Sequence, residues 1–133
     1  MSSKIFVNLP VKDLTKSIEF FKALGYSFNP QFTNDDAGCL VVNDHIFIML
    51  VTQDYYKTFM DKELADTTKT NEAIMALSFE SKDEVDKIAD KAIAAGAKKS
   101  KDPSDQGFMY TRSFEDLDGH LWEMFWMDPS AIN

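Results

Sequence analysis

The sequence predicts an α+β fold of two β-α-β-β-β modules, forming a curved mixed sheet with helices outside. Three observations predict it. A strand-like Lys4-Ile5-Phe6-Val7-Asn8-Leu9 followed by a helix-like segment ending at Gly25 recurs as Ala73 to Phe79 followed by a second helix-like segment ending at Gly96. A supersecondary unit that occurs twice cannot bury its apolar face alone, so the copies pair. The second observation is that each copy continues into further strand candidates. The third is strand parity, which sorts large apolar residues onto one side of four strands.

The first helix runs from Asp13 to Leu24, with Leu14, Ile18, Phe21 and Leu24 as its apolar stripe and Asp13 as its cap. Gly25 supplies the left-handed residue that ends it. Strands are expected at Tyr26 to Phe32, Cys39 to Val42 and His45 to Val51. The last two flank Asn43-Asp44, read as a two-residue hairpin turn. A short helix is expected at Asp54 to Met60. Module one thus spans about 4–52, a Thr-, Asp- and Lys-rich linker about 53–71, and module two about 72–128, within a single domain of 1–133.

The second helix opens on Ser81-x-x-Glu84, a capping box, and buries Val85, Ile88, Ala92 and Ala95. Its alanines suggest close approach to the sheet. Strands follow at Ala97 to Ser100, Phe108 to Phe114 and His120 to Met127, the last two joined by Glu115 to Gly119.

One side of the main strands reads Ile5, Val7, Leu9; Ile46, Ile48, Leu50; Met75, Leu77, Phe79; and Trp122, Met124, Trp126. This is the side that helices cover. The opposite side carries Phe6, Asn8, Phe47, Met49, Ile74, Ala76, Glu123 and Phe125, with Glu123 its single carboxylate. A solvent-facing sheet would be charged there, so a second enclosed surface, a cleft, is expected.

A 133-residue chain with 44% hydrophobic residues can build a sizeable core. Its net charge of −8 argues against a nucleic-acid partner, because phosphate binding needs clustered Lys and Arg. Cys39 is the single cysteine, which excludes an internal disulfide and favours a cytoplasmic location. The N-terminus lacks a signal-peptide pattern, and no apolar run approaches the roughly 20 residues that span a bilayer. No membrane association is expected. There is no P-loop, dinucleotide glycine fingerprint or nucleophile elbow.

The segments Val11-x-Asp13-Leu14-x-x-Ser17-Ile18-x-Phe20-Phe21-x-x-Leu24-Gly25-Tyr26, Ile88 to Gly96, and Asp116-x-Asp118-Gly119-His120-x-Trp122-Glu123 resemble the vicinal oxygen chelate superfamily. That superfamily comprises glyoxalases, bleomycin-resistance proteins and extradiol dioxygenases. The resemblance covers essentially the whole chain and implies a homodimer. Metal-dependent members place His, Gln or Glu ligands on the first and last strand of each half. The matching positions here are Phe6, Met49, Ile74 and Glu123, and three of them lack a usable oxygen or nitrogen donor. Methionine sulfur is soft and suits Cu(I) rather than Mg, Fe, Ni or Zn. No metal and no cofactor is therefore expected.

Glu123 is the candidate functional residue, either anchoring a cation or N–H of a ligand or acting as a general base. The alternative is an acid retained by a neighbouring Tyr or Arg, with no chemistry. Phe6, Asn8, Phe47, Met49, Ile74 and Phe125 are the expected lining of its site. Tyr110 and Arg112 share one strand face: if that face is the cleft, Arg112 binds a carboxylate or phosphate bidentately, and otherwise it is a rim ion pair. His45 and His120 read as turn residues, and Cys39 as an inert, semi-buried thiol. The expected function is metal-free binding of a small apolar or cationic compound, as in the bleomycin-resistance branch. The alternatives are a lyase, isomerase or dioxygenase with a non-standard site, and a protein whose dimer is itself the functional unit.

Overall fold

The computed structural model describes residues 2–131. The chain divides into two compact units, with the boundary between Ala65 and Asp66, inside the expected linker. The strands form two mixed sheets, one per unit.

In the first unit, β1 (Ile5–Val11) leads into α1 (Leu14–Ala23), β2 (Ser27–Phe28), β3 (Ala37–Val41), β4 (Ile46–Thr52) and the single turn α2 (Gln53–Tyr56). The sheet order is β1-β4-β3-β2, with β1 parallel to β4 and the rest antiparallel. The ends of α1 follow directly from its sequence. Asp13 accepts from the Lys16 N–H at 3.1 Å, which satisfies one of the helix's orphan donors. At the other end Gly25 adopts φ +106°, so that Tyr26 N–H reaches the Phe21 carbonyl at 3.1 Å and Gly25 N–H the Lys22 carbonyl at 3.0 Å. That double bond is a Schellman motif, which a Cβ at Gly25 would strain.

Three expectations change here. The strand at Tyr26 to Phe32 shortens to two residues, because Pro30 opens a 3-10 turn at Pro30–Phe32 capped by Asn29. The buried residues of α1 include Ser17 and Phe20, while Ile18 is half-buried. Asn43-Asp44 is not a two-residue hairpin. That turn needs positive φ at both central residues, and no described non-glycine residue has one. Asn43 Oδ1 instead accepts from His45 N–H (2.8 Å) and Ile46 N–H (3.0 Å), giving a wider Asx turn.

In the second unit, β5 (Ile74–Ser78), α3 (Lys82–Ala94), β6 (Lys98–Lys99), β7 (Ser104–Asp105), β8 (Met109–Glu115) and β9 (Leu121–Met127) follow in order. The path is β5-β9-β8-β6, and β7, absent from the sequence expectation, pairs with β8. Ser81 Oγ accepts from Glu84 N–H at 3.1 Å. The Glu84 carboxylate reaches one residue beyond the expected box and accepts from Glu80 N–H at 2.8 Å. Gly96 repeats the Schellman ending, with φ +114°. The buried residues of α3 are Val85, Ala89 and Ala92; Ile88 and Ala95 are half-buried.

Parity holds through the middle of both sheets, while at the strand ends Ile5, expected on the helix side, is exposed and Val51, expected on the opposite side, is buried. Leu9, Ile48, Leu50, Trp122 and Met124 are buried on the helix side, with Phe114 stacked on Trp122 at 6.4 Å between ring centroids. The apolar load of these side chains is the main stabilising term of each unit.

Candidate functional site

The opposite sheet faces carry the expected site residues, and they are more open than expected. In the first unit, β1 and β4 are in register as Phe6↔Phe47 and Asn8↔Met49. The Phe6 and Phe47 rings stack 4.7 Å apart at 10°, and Lys4 Nζ lies 5.8 Å from the Phe47 centroid. Phe6 remains 49% exposed and Asn8 is exposed, its amide donating to the Phe6 carbonyl at 3.1 Å. Phe47 and Met49 are half-buried. The face presents a flat aromatic pair with an amide beside it, a surface suited to stacking.

In the second unit, Glu123 stands in β9 between Ala76 of β5 and Ser113 of β8. Ile74 is 48% exposed, while Glu123 and Phe125 are half-buried. Among the described residues, no hydrogen bond or ion pair engages the Glu123 side chain. The enclosed carboxylate expected from the sequence is thus a half-buried one, in a setting of small and apolar neighbours.

Tyr110 and Arg112 lie on the other face of the sheet. They pair across to Trp126 and Met124, the helix-side residues of β9. Tyr110 Oη donates to Asp86 Oδ1 at 2.5 Å, and Arg112 donates to Asp86 at 2.9 Å and to Asp90 at 3.0 Å. The cleft reading of these two residues gives way to an ion-pair network with α3, for a physical reason. Asp86 and Asp90 are four residues apart on one helix face, and a cation between them relieves their repulsion. The Tyr110 hydroxyl, with Arg112, holds the Asp86 carboxyl below the usual aspartate range. Neither Tyr110 nor Arg112 is available to retain Glu123.

Because its folded-state value is lowered, Asp86 contributes stability above its ordinary value of 3.8, lost as pH falls through the lower folded value. Asp86→Asn is expected to cost under about 1 kcal/mol at neutral pH, the pair being partly exposed. That gap should close below pH 3.8 in urea melts run across a pH series. A gap independent of pH would show that the carboxylate charge contributes nothing.

The sequence reading missed Asp116. Its Oδ1 accepts from Asp118 N–H (2.9 Å) and His120 N–H (3.0 Å), and its Oδ2 from Trp122 Nε1–H (2.9 Å). It is 7% exposed, as is His120. Burial pushes its carboxyl up, while the His120 charge and the indole N–H pull the other way. Asp116 therefore ties the Asp-Leu-Asp-Gly-His turn to the strand that carries Glu123. The linker joins this knot: Thr67 Oγ1 donates to the Asp118 carbonyl at 2.5 Å. Elsewhere, His45 is exposed in its turn, and Cys39 is fully buried, its thiol pushed up by desolvation.

The fit of a metal can be judged from the donors alone. At Phe6, Met49, Ile74 and Glu123 only one hard donor exists, where a catalytic ion needs about three. Among the described residues no group of three or more His, Cys, Asp or Glu is placed to hold an ion. The donors at these four positions do not fit a catalytic divalent ion.

Comparison with known proteins gives the same frame. The family model of the Glyoxalase/Bleomycin resistance protein/Dioxygenase superfamily matches residues 5–124. Hypothetical protein SA1046 from S. aureus is similar at 29% identity, with 95% of each chain covered and a TM-score of 0.79. A family enzyme from Burkholderia phytofirmans PsJN aligns at 17% identity, covering 95% of this chain and 99% of its own, with a TM-score of 0.77. The genomically encoded fosfomycin resistance protein FosX from Listeria monocytogenes aligns at 22% identity, covering 98% and 97%, with a TM-score of 0.69. No curated protein matches the chain. With its family match spanning residues 5–124 and both modules folded as that match implies, the chain belongs to the glyoxalase/bleomycin resistance/dioxygenase superfamily.

Proposed function

We propose that this chain binds a small, largely apolar or cationic molecule, without a catalytic metal, on the open sheet face of the second unit, which bears Ile74, Glu123 and Phe125. The observation that supports this best is the Glu123 carboxylate, half-buried and without a partner among the described residues. A carboxylate kept in an apolar setting is unfavourable for folding alone, and a ligand cation or N–H would offset that. Ile74 and Phe125 supply apolar surface on the same face as Glu123. On the first unit, taken by itself, the stacked Phe6–Phe47 pair with Asn8 beside it offers a separate surface suited to a flat aromatic body. Glu123 acts here as an orienting group; a general-base role belongs to the lyase, isomerase or dioxygenase alternative. The proposed working form is a homodimer.

The test is a thermal-shift screen of aromatic amines and hydrophobic drugs, followed by calorimetry on the wild type and Glu123→Gln. Glu123→Gln should weaken binding of an amine at least tenfold, a difference of about 1.4 kcal/mol, while raising the melting temperature of the free protein. Binding unchanged by this substitution would remove Glu123 from the site. Elemental analysis finding stoichiometric Zn, Ni, Fe or Mn that is lost in Glu123→Gln would favour the enzyme reading. Light scattering on the same samples checks the dimer, and a monomer at micromolar concentration would refute it.

A further inference from the structure

Set on one another position by position, the two modules differ in bulk beneath the helix, and the second holds a cavity there. Setting Gly25 on Gly96, the shared helix ends, pairs Ile18 with Ala89 and Tyr26 with Ala97. In the first module the bulk is used: Ile18 lies so close to Gly38 that a Cβ there would sit 3.0 Å from its Cδ1. Tyr26 is buried enough to push its hydroxyl up to about 12. In the second module the alanines leave a concavity of about 440 Å³ between α3, β6 and β8. The alanines therefore do more than let the helix approach the sheet.

The floor of this cavity is apolar: Ala89, Ala97 and Phe114 are all buried. Ile93 flanks it and is 41% exposed. Its remaining wall is charged in both signs. Asp90 and Arg112 both line it, with Asp90 Oδ1 and Arg112 Nη2 3.0 Å apart, and Lys99 lines it from β6. Asp90 uses one oxygen on Arg112, and its Oδ2 has no partner among the described residues. Arg112 has five N–H donors and spends one on Asp86 and one on Asp90. Lys99 is paired with Asp102 at 2.6 Å, but both side chains are mostly exposed and exchange readily with a competing anion.

We propose that this cavity binds a free α-amino acid with an apolar side chain. Adjacent opposite charges at the wall match a headgroup whose ammonium and carboxylate are one carbon apart. The ammonium meets Asp90 Oδ2, the carboxylate meets Arg112 and Lys99, and the side chain lies on Ala89, Ala97 and Phe114. A ligand with one charge matches only one of the two signs on that wall. The volume lies within the range of small-molecule sites. The site is contained in the second module and does not depend on Glu123.

The experiment is amide-shift NMR titration of the full chain with L-phenylalanine and L-leucine at millimolar concentration. Phenethylamine and 3-phenylpropanoate serve as singly charged controls. Saturable shifts centred on residues 89–99 and 112–114, with each control at least tenfold weaker, are expected. Ala89→Ile restores the first module's residue and should abolish binding. Asp90→Asn leaves the cavity open and should weaken the amino acid about tenfold while 3-phenylpropanoate, relieved of the Asp90 charge beside Arg112, binds at least as well as before, which keeps the test sound if Ala89→Ile fails to fold. No saturable shifts, shifts centred elsewhere, a control that binds as well as the amino acid, or undiminished binding in a folded Ala89→Ile would each overturn the proposal.

Discussion

Asp116→Ala is expected to lower the unfolding free energy by about 3 kcal/mol or more, a large fraction of what holds a domain of this size together. Three N–H groups, from Asp118, His120 and the Trp122 indole, converge on this one carboxylate. Deleting it leaves them to compete for water where both His120 and Trp122 are buried, and each orphaned donor costs about 1–3 kcal/mol before relaxation. Asp116→Asn separates the contributions. Its amide oxygen can keep the two backbone donors, but its NH₂ then faces the Trp122 N–H, donor against donor. A loss of about half that of alanine is therefore expected. Urea melts on both variants measure this, and Trp122→Phe in each background isolates the indole bond as a double-mutant cycle. A loss under about 1 kcal/mol for Asp116→Ala would mean that water replaces the carboxylate.

The closing motif illustrates which parts of this molecule could be read from its residues. The helices and the main strands were legible because their signals are periodic and doubled. Asp13, Gly25, the Ser81–Glu84 pair and Gly96 then mark the helix ends by local chemistry alone. The strands expected at Tyr26 to Phe32 and Ala97 to Ser100 shrink to Ser27–Phe28 and Lys98–Lys99, and Ser104–Asp105 went unread, because two residues carry no period. The family resemblance rested on Val11 to Tyr26, Ile88 to Gly96 and Asp116 to Glu123, yet the roles within that last run are not visible in it. Asp116 reads as a turn acid until Trp122 is seen to curl its indole back across six residues.

Tyr110 and Arg112 were ambiguous because a polar pair on a strand fits a ligand site and an ion-pair network equally well. The signal that separates them lies elsewhere in the chain: Asp86 and Asp90, four apart on the helix, require cations opposite. The open face of each sheet was legible as a face, since Phe6 and Phe47 in one unit and Ile74 and Glu123 in the other lie away from the helix side. Its degree of enclosure was not, because burial depends on what packs above a face and no strand pattern encodes that.

Gly119→Ala should be at least as damaging as Asp116→Ala, for a steric rather than a polar reason, and it ties the turn to the proposed function. Gly119 has φ +87°, and a Cβ there would lie 2.5 Å from the Thr67 carbonyl oxygen and 3.0 Å from its carbon. Those are backbone atoms, held by the Thr67–Asp118 hydrogen bond, so no rotamer change relieves the overlap. Left-handed strain alone costs about 1–2 kcal/mol at a non-glycine residue. Gly25→Ala measures that part, since its Cβ at φ +106° would meet nothing within 4 Å. The excess of Gly119→Ala over Gly25→Ala in chemical melts, expected to be about 2 kcal/mol, is then the clash. Relief requires the 116–120 turn to shift, and β9 begins at Leu121. A one-residue slip of β9 would turn Glu123 toward α3 and bring Trp122 to the open face. Gly119→Ala should therefore lose any ligand that Glu123 orients, under conditions where the variant is still folded, while Gly25→Ala keeps it. Equal melts for the two variants would show that the linker yields, and retained binding would show that the register of β9 is set by the sheet rather than by its turn.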